Sequence, residues 1–283
     1  MGQIKVVSDS GASLTPELLK KYDISIAPYS VQFGVESFVD NGIDMTVAEF
    51  EQKRVTSGLV PKTAIPASGK FVDLYRSIAK PGDTVFSIHL GGKLSGIVGS
   101  ANLAKEELPD LDIVVFDSDS VCMGEGYMAV EVAEAAARGA SRQDLIDLLN
   151  DLKTRTDFFS ATVEMEYIKE SGRIAGAEKA ADAAVKTVPI ICLQDGKAGV
   201  AEQARTQNAV LRRTIELIKQ RAGDRPIKRL AISHANREAV ALKYREMIEK
   251  ELAPGELSFG QLGITLTAHL GPGSLSTSVV YGK

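Results

Sequence analysis

Short β-branched runs alternate with amphipathic stretches through the first half of the chain. That alternation constrains the fold more than any other feature of the sequence. Ile4-Lys5-Val6-Val7 reads as a strand, and Ser8-Asp9-Ser10-Gly11 as the turn that leaves it. Thr15 then stands as an N-cap with Pro16 at the first helical position, ahead of apolar Leu18 and Leu19. A strand is predicted over 24–31, and Thr46 with Glu49 makes a capping box for a helix running through Arg54. A helix over 71–78, a strand over 84–88, a helix over 94–107, a strand over 111–116 and a helix over 126–138 continue the rhythm. Ser141 with Asp144 caps one more helix, reaching Thr154. Strands separated by helices need crossover connections, which gives βαβ units and a parallel sheet. Ligands of such sheets lie beyond the carboxyl ends of the strands.

After about Lys153 the rhythm changes. A strand over 158–165, a short helix and the glycine turn Ser171-Gly172-Arg173 come first. A strand over 188–193 turns at Asp195-Gly196, and a long helix follows over 206–222. A strand over 229–233, a helix over 237–251, a strand over 264–267 and a strand over 278–281 complete the reading. The expected fold class is α/β, with two domains. Residues 1–153 form the α/β domain with the parallel sheet, and residues 154–283 form a smaller mixed-sheet α+β domain. A length of 283 residues suits two domains at about 100–200 residues each.

Composition narrows the function. Lys and Arg number 33 against 37 Asp and Glu, with no clustered basic stripe, so no nucleic-acid partner is expected. Cys122 and Cys192 are far apart with no CxxC, which argues against a disulfide framework or a structural zinc, and favours a reducing cytoplasm. No apolar run approaches the roughly 20 residues that span a bilayer, and the chain opens on a strand instead of a leader segment. Gly124-x-Gly126-x-x-Ala129 imitates a dinucleotide fingerprint, but the required acid about 20 residues on falls at a helix start, Asp144. Helix packing explains the glycines better. No P-loop or nucleophile elbow is present.

One segment survives these tests. Leu90-Gly91-Gly92-Lys93-Leu94-Ser95-Gly96 joins a buried strand to a helix, and its glycines allow close approach to the backbone. Ser95 lies near a helix N-terminus, where free N–H groups and the dipole favour an anion, although an N-cap serine in a tight turn has the same signature. Thr63, before the helix over 71–78, could supply a second hydroxyl to that anion or simply cap the helix. Arg173 in its glycine turn and His269 before Gly271-Pro272-Gly273 are ordinary as single residues: a solvated cation and a hydrogen-bonded histidine.

Taken in order, these motifs resemble the DegV family from end to end. The series runs through Asp9-Ser10, Thr63 with Pro66, Leu94-Ser95-Gly96, Asp117-Ser118 with Gly124 and Gly126, Ser171-Gly172-Arg173-Ile174, Pro189-Ile190 and His269-Leu270-Gly271-Pro272-Gly273. The resemblance implies the two-domain DegV-like (EDD) fold, shared with the substrate-binding part of dihydroxyacetone kinase, and a long-chain fatty acid buried at the domain junction. It implies a cytoplasmic binding subunit without catalysis or a cofactor of its own. That subunit presents the acyl carboxylate to a separate ATP-dependent fatty acid kinase, which makes an acyl phosphate. Transient membrane contact is compatible with that role. By motif match, Thr63, Ser95 and Gly96 would bind the carboxylate, and Arg173 and His269 would form the surrounding polar network. Arg205 would dock the kinase subunit. Burying roughly fourteen methylenes at about 0.8 kcal/mol each would supply around 11 kcal/mol before ordering costs, so the tail would dominate affinity.

The chain departs from the family pattern at Ala64, Ile65, Gly91, Gly92 and Ile97, where polar groups are usual. A less polar rim is expected there, which bears on acyl-chain preference and on phosphorylation by a partner. The alternative function is a small-molecule phosphotransferase or hydrolase that binds a phosphorylated ligand at the same helix N-termini, with Asp9 and Asp117 as acids or metal ligands.

Overall fold

The computed structural model describes residues 2–181 and 187–283. The first half contains β1 (Ile4–Asp9), α1 (Pro16–Tyr22), β2 (Ile24–Ala27), β3 (Ser30–Phe33), β4 (Glu36–Val39), α2 (Val47–Ser57), β5 (Lys62–Ala64), α3 (Ser68–Ile78), β6 (Thr84–His89), α4 (Ile97–Glu106), β7 (Asp112–Asp117), α5 (Met123–Ala137) and α6 (Arg142–Thr154). The second half contains β8 (Thr156–Ala161), α7 (Met165–Ser171), β9 (Ile174–Ala175), α8 (Ala177–Ala181), β10 (Val188–Gln194), β11 (Lys197–Ala204), α9 (Gln207–Ala222), β12 (Ile227–His234), α10 (Glu238–Leu252), β13 (Glu256–Gln261), α11 (Ile264–Leu270) and β14 (Leu275–Tyr281).

A four-stranded sheet in the order β2-β1-β6-β7 is parallel throughout, as the strand–helix alternation requires. The second half builds a seven-stranded mixed sheet, β13-β12-β14-β8-β10-β11-β9. A small antiparallel sheet, β4-β3-β5, comes from the segment between α1 and α3. The N-caps sit where the sequence puts them. Thr15 accepts from the Leu18 N–H, and both capping boxes close, Thr46 with Glu49 and Ser141 with Asp144.

Three expectations are corrected. The strand over 24–31 is two strands in different sheets: Pro28 has no N–H to give a ladder, so β2 ends at Ala27 and β3 restarts at Ser30. The strand over 264–267 is the helix α11. Its first N–H groups are capped from a distance by Asp40, which accepts from Ile264 N at 3.0 Å and Thr265 N at 3.2 Å. β12 pairs in parallel with β13, a strand that the sequence reading did not assign, its register running from Arg229↔Glu256 to His234↔Gln261. The helix over 94–107 begins only at Ile97, leaving Leu94 and Ser95 in the preceding turn.

Helix α5 joins the sheets. It packs on β1 and β6 of the parallel sheet and on β8, β12 and β14 of the mixed sheet. Met123 through Val132 are all buried, as a helix covered on every side requires. Tyr127 Oη donates to Leu230 O at 2.8 Å. Arg229, 5% exposed, pairs with Glu131 and Glu134 on α5 and with Glu256 on β13. One apolar cluster draws on both halves of the chain, from Val6, Phe86 and Tyr127 to Phe158, Leu266 and Val280. A second cluster, including Phe159, Ile215 and Tyr244, comes entirely from the second half.

Candidate functional site

The turn from β6 into α4 is built by backbone hydrogen bonds to two carboxylates. Asp9, at the end of β1, accepts from Leu90 N at 3.1 Å and from Gly11 N at 2.9 Å. Asp117, at the end of β7, accepts from Gly92 N and Asp119 N, each at 3.0 Å. Gly92 is needed there because a Cβ would stand 2.6 Å from Asp117 Oδ2. These bonds deliver Ser95 to the mouth of α4, where its Oγ accepts from Ile97 N at 3.3 Å.

Ser95 has a partner that the sequence did not single out. Tyr29 Oη lies 2.7 Å from Ser95 Oγ, and Ser10 Oγ holds Tyr29 in place by accepting its backbone N–H at 3.0 Å. Burial pushes the Tyr29 phenol well above its ordinary pKa, assisted by the nearby Asp9 charge, so it stays a hydroxyl. Between them Tyr29 and Ser95 carry two hydroxyl hydrogens and use one in their mutual bond, which leaves one for a ligand. The available signal was position: Tyr29 follows Pro28 at the carboxyl end of a parallel strand, the edge where ligands gather.

Thr63 occupies the middle of β5, opposite Val31 on β3. Its Oγ1 lies 3.0 Å from His269 Nε2, in the last turn of α11. His269 Nδ1 lies 3.2 Å from Ser171 Oγ, at the end of α7. Burial, reinforced by the Arg173 cation, pushes His269 down to about 4, so the ring is neutral at neutral pH. Arg173 donates from Nη1 to Ser171 O at 2.8 Å and is otherwise exposed.

These groups line one cavity of about 770 Å³, mouth included. Thr63, Ser95, Gly96, Arg173 and His269 all contribute, and so do Tyr29 and Ser171. The rest of the wall is mainly apolar, with Leu90, Val121, Phe158, Ile174, Ile191 and Leu266 among its members. The lining comes from both the parallel-sheet turns and the mixed-sheet strands β8 and β10. Arg205 lies elsewhere, exposed just past the end of β11.

The less polar rim is narrower than the sequence suggested. Ile65 lines the cavity and is 40% exposed at its edge. Ala64, Gly91, Gly92 and Ile97 are absent from the lining. Ile97 is fully buried in the core, and Gly91 packs on the Asp119 backbone. The two carboxylates of the alternative function, Asp9 and Asp117, are both engaged in holding turns.

Among known proteins, the model of the DegV family, described as uncharacterised proteins, matches residues 3–282. A DegV domain-containing protein of Halalkalibacterium halodurans is 30% identical over 279 residues, covering 98% of both chains. Protein DegV of Bacillus subtilis is 29% identical over 273 residues, covering 96% of this chain and 97% of its own. Two solved structures superpose closely. The structure titled as fatty acid binding of a DegV family protein from Thermus thermophilus has a TM-score of 0.91 at 27% identity, covering 99% of each chain. DegV of Bacillus subtilis, described as a fatty acid binding protein, has a TM-score of 0.88 at 28% identity, covering 99% of this chain and all of its own.

Proposed function

Because this chain belongs to the DegV family, we propose that it is a cytoplasmic carrier that buries a long-chain fatty acid between its parallel-sheet and mixed-sheet domains, divided near 153/154. The observation that carries this reading is the composition of the cavity wall: apolar side chains surround a cluster of hydroxyls, one neutral imidazole and one guanidinium. An alkyl tail suits the apolar wall, and a carboxylate suits the donors. Thr63 and Ser95 donate to the carboxylate beside the Gly96 backbone, while His269 and Arg173 support them. The related DegV structures described as fatty acid binding favour the same ligand class.

The carrier performs no catalysis of its own on this reading. It presents the carboxylate to a separate ATP-dependent kinase subunit, which docks through the exposed Arg205 and forms the acyl phosphate. No helix among the described residues is long and apolar enough to cross a membrane.

Mass spectrometry of a solvent extract of the denatured, purified protein tests the ligand. A fatty acid at near one equivalent is expected. A lipid-free extract combined with no thermal shift on adding palmitate would overturn the reading. Incubating the loaded carrier with ATP and the kinase subunit of the same organism tests the second step, with acyl phosphate expected and Arg205→Ala slowing its formation. Equal rates for wild type and Arg205→Ala would remove Arg205 from the docking surface.

A further inference from the structure

The polar chain behind Thr63 has a direction. Ser171 Oγ accepts the Arg173 backbone N–H at 3.3 Å and lies 3.2 Å from His269 Nδ1. On the other side of the ring, His269 Nε2 lies 3.0 Å from Thr63 Oγ1. A neutral imidazole donates through one nitrogen and accepts through the other, so only two arrangements connect these groups.

In the first, Nδ1–H donates to Ser171 and Thr63 donates to Nε2. Ser171 then receives two donors, while its own hydroxyl hydrogen finds no acceptor among the described residues. Thr63, moreover, has no hydrogen left for a ligand. In the second, Ser171 donates to Nδ1 and Nε2–H donates to Thr63. Ser171 and the ring are now both satisfied, and the one hydrogen left over belongs to the half-buried Thr63 hydroxyl, which can turn it to the cavity. Ser171 is buried, at 4% exposure, so an unpaired hydroxyl there carries a desolvation penalty that disfavours the first arrangement.

The geometry points to Ser171 as a positioning residue: it holds His269 as the Nε2–H tautomer and thereby leaves the Thr63 hydroxyl hydrogen for an acidic headgroup in the cavity. The identity of that headgroup rests on the fatty-acid reading above; the tautomer does not. This is the role an outer partner plays for a histidine at any site where one ring nitrogen must be kept in a single protonation state.

The test is nitrogen NMR on delipidated, ¹⁵N-histidine-labelled full-length protein at pH 7, with His269 assigned by the signals lost in His269→Gln. Wild type is expected to show a protonated Nε2 and an unprotonated Nδ1. Ser171→Ala should bring out the Nδ1–H form and weaken palmitate binding roughly tenfold, the loss of one hydrogen bond to a charged group. Methyl palmitate should change by less than about threefold, since its uncharged carbonyl gains less from that donor. Ser171→Thr, which keeps the hydroxyl, should restore both the tautomer and palmitate affinity. A wild-type Nδ1–H ring, or a Ser171→Ala ring that stays Nε2–H, overturns the assignment. Equal loss for acid and ester overturns the positioning role. If the tautomer is as stated and neither palmitate nor its ester binds wild type, the fatty-acid reading fails while the assignment of the ring stands.

Discussion

His269 ties the pH response of the molecule to its cavity. Its folded pKa of about 4 lies below the unfolded value near 6.5, so the unfolded chain takes up this proton first as the pH falls. Stability should therefore decline from about pH 6.5 towards pH 4 on account of this ring. His234 is also depressed by burial and slopes the same way. Comparing unfolding midpoints of wild type and His269→Gln across that range isolates the cavity residue: the variant should have the flatter profile, and parallel profiles would refute the shift. For the donors, Thr63→Ala and Ser95→Ala should each weaken palmitate about tenfold or more and methyl palmitate much less. Competition binding with both ligands decides it. Four of the polar residues that line the cavity were legible as motif residues: Thr63, Ser95, Arg173 and His269. Tyr29 was not, because nothing in Pro28-Tyr29-Ser30 says that its hydroxyl will meet a serine 66 positions away.

Among elements, helix α11 shows where sequence patterns lose their force. Ile264, Thr265 and Thr267 favour a strand locally, yet the segment is helical because Asp40 caps it from 224 residues away. That cap places His269 one helix length from a fixed point. Asp40→Ala should lower stability by about 1 kcal/mol, the usual loss for a removed cap, and should weaken palmitate binding as the ring drifts. Asp40→Asn keeps an acceptor and should lose less of both; denaturant melts and titrations of the two variants provide the comparison. Elements with local signals were legible. The Thr46 and Ser141 capping boxes, Pro16 at a helix start and the Asp195-Gly196 turn each carry their own information. Elements defined by distant partners were not, and β9, β13 and the antiparallel β4-β3-β5 sheet belong to that class.

For the whole molecule, the sheets separate along the chain but the larger apolar cluster draws on both halves. Helix α5 and the Arg229 ion pairs bind both sheets into one body of contacts, so the halves should unfold together. Calorimetry should show one transition, and two resolved peaks would contradict the shared core. Arg229→Ala should cost about 1.5–3 kcal/mol, the usual range for hydrogen bonds to charged groups, because the buried Glu131 loses one of its two cations and keeps only Lys228. Alternation of strands and helices made the parallel sheet and the change of rhythm legible. The joining of the halves depends on which faces of α5 meet which strands, and a helix that is apolar on every side does not declare its neighbours.

Leu90, Val121, Phe158, Ile174, Ile191 and Leu266 are members of the larger apolar cluster and of the cavity wall at once. A molecule seated there completes the same interior that holds the halves together, as a removable piece of core. Folding stability then becomes a function of ligand supply, rising by about 2.7 kcal/mol when the ligand stands at a hundred times its Kd. Cellular proteases act on the unfolded fraction, so copies without cargo would have the shorter lifetime. Abundance would track lipid availability with no dedicated sensor, through turnover alone.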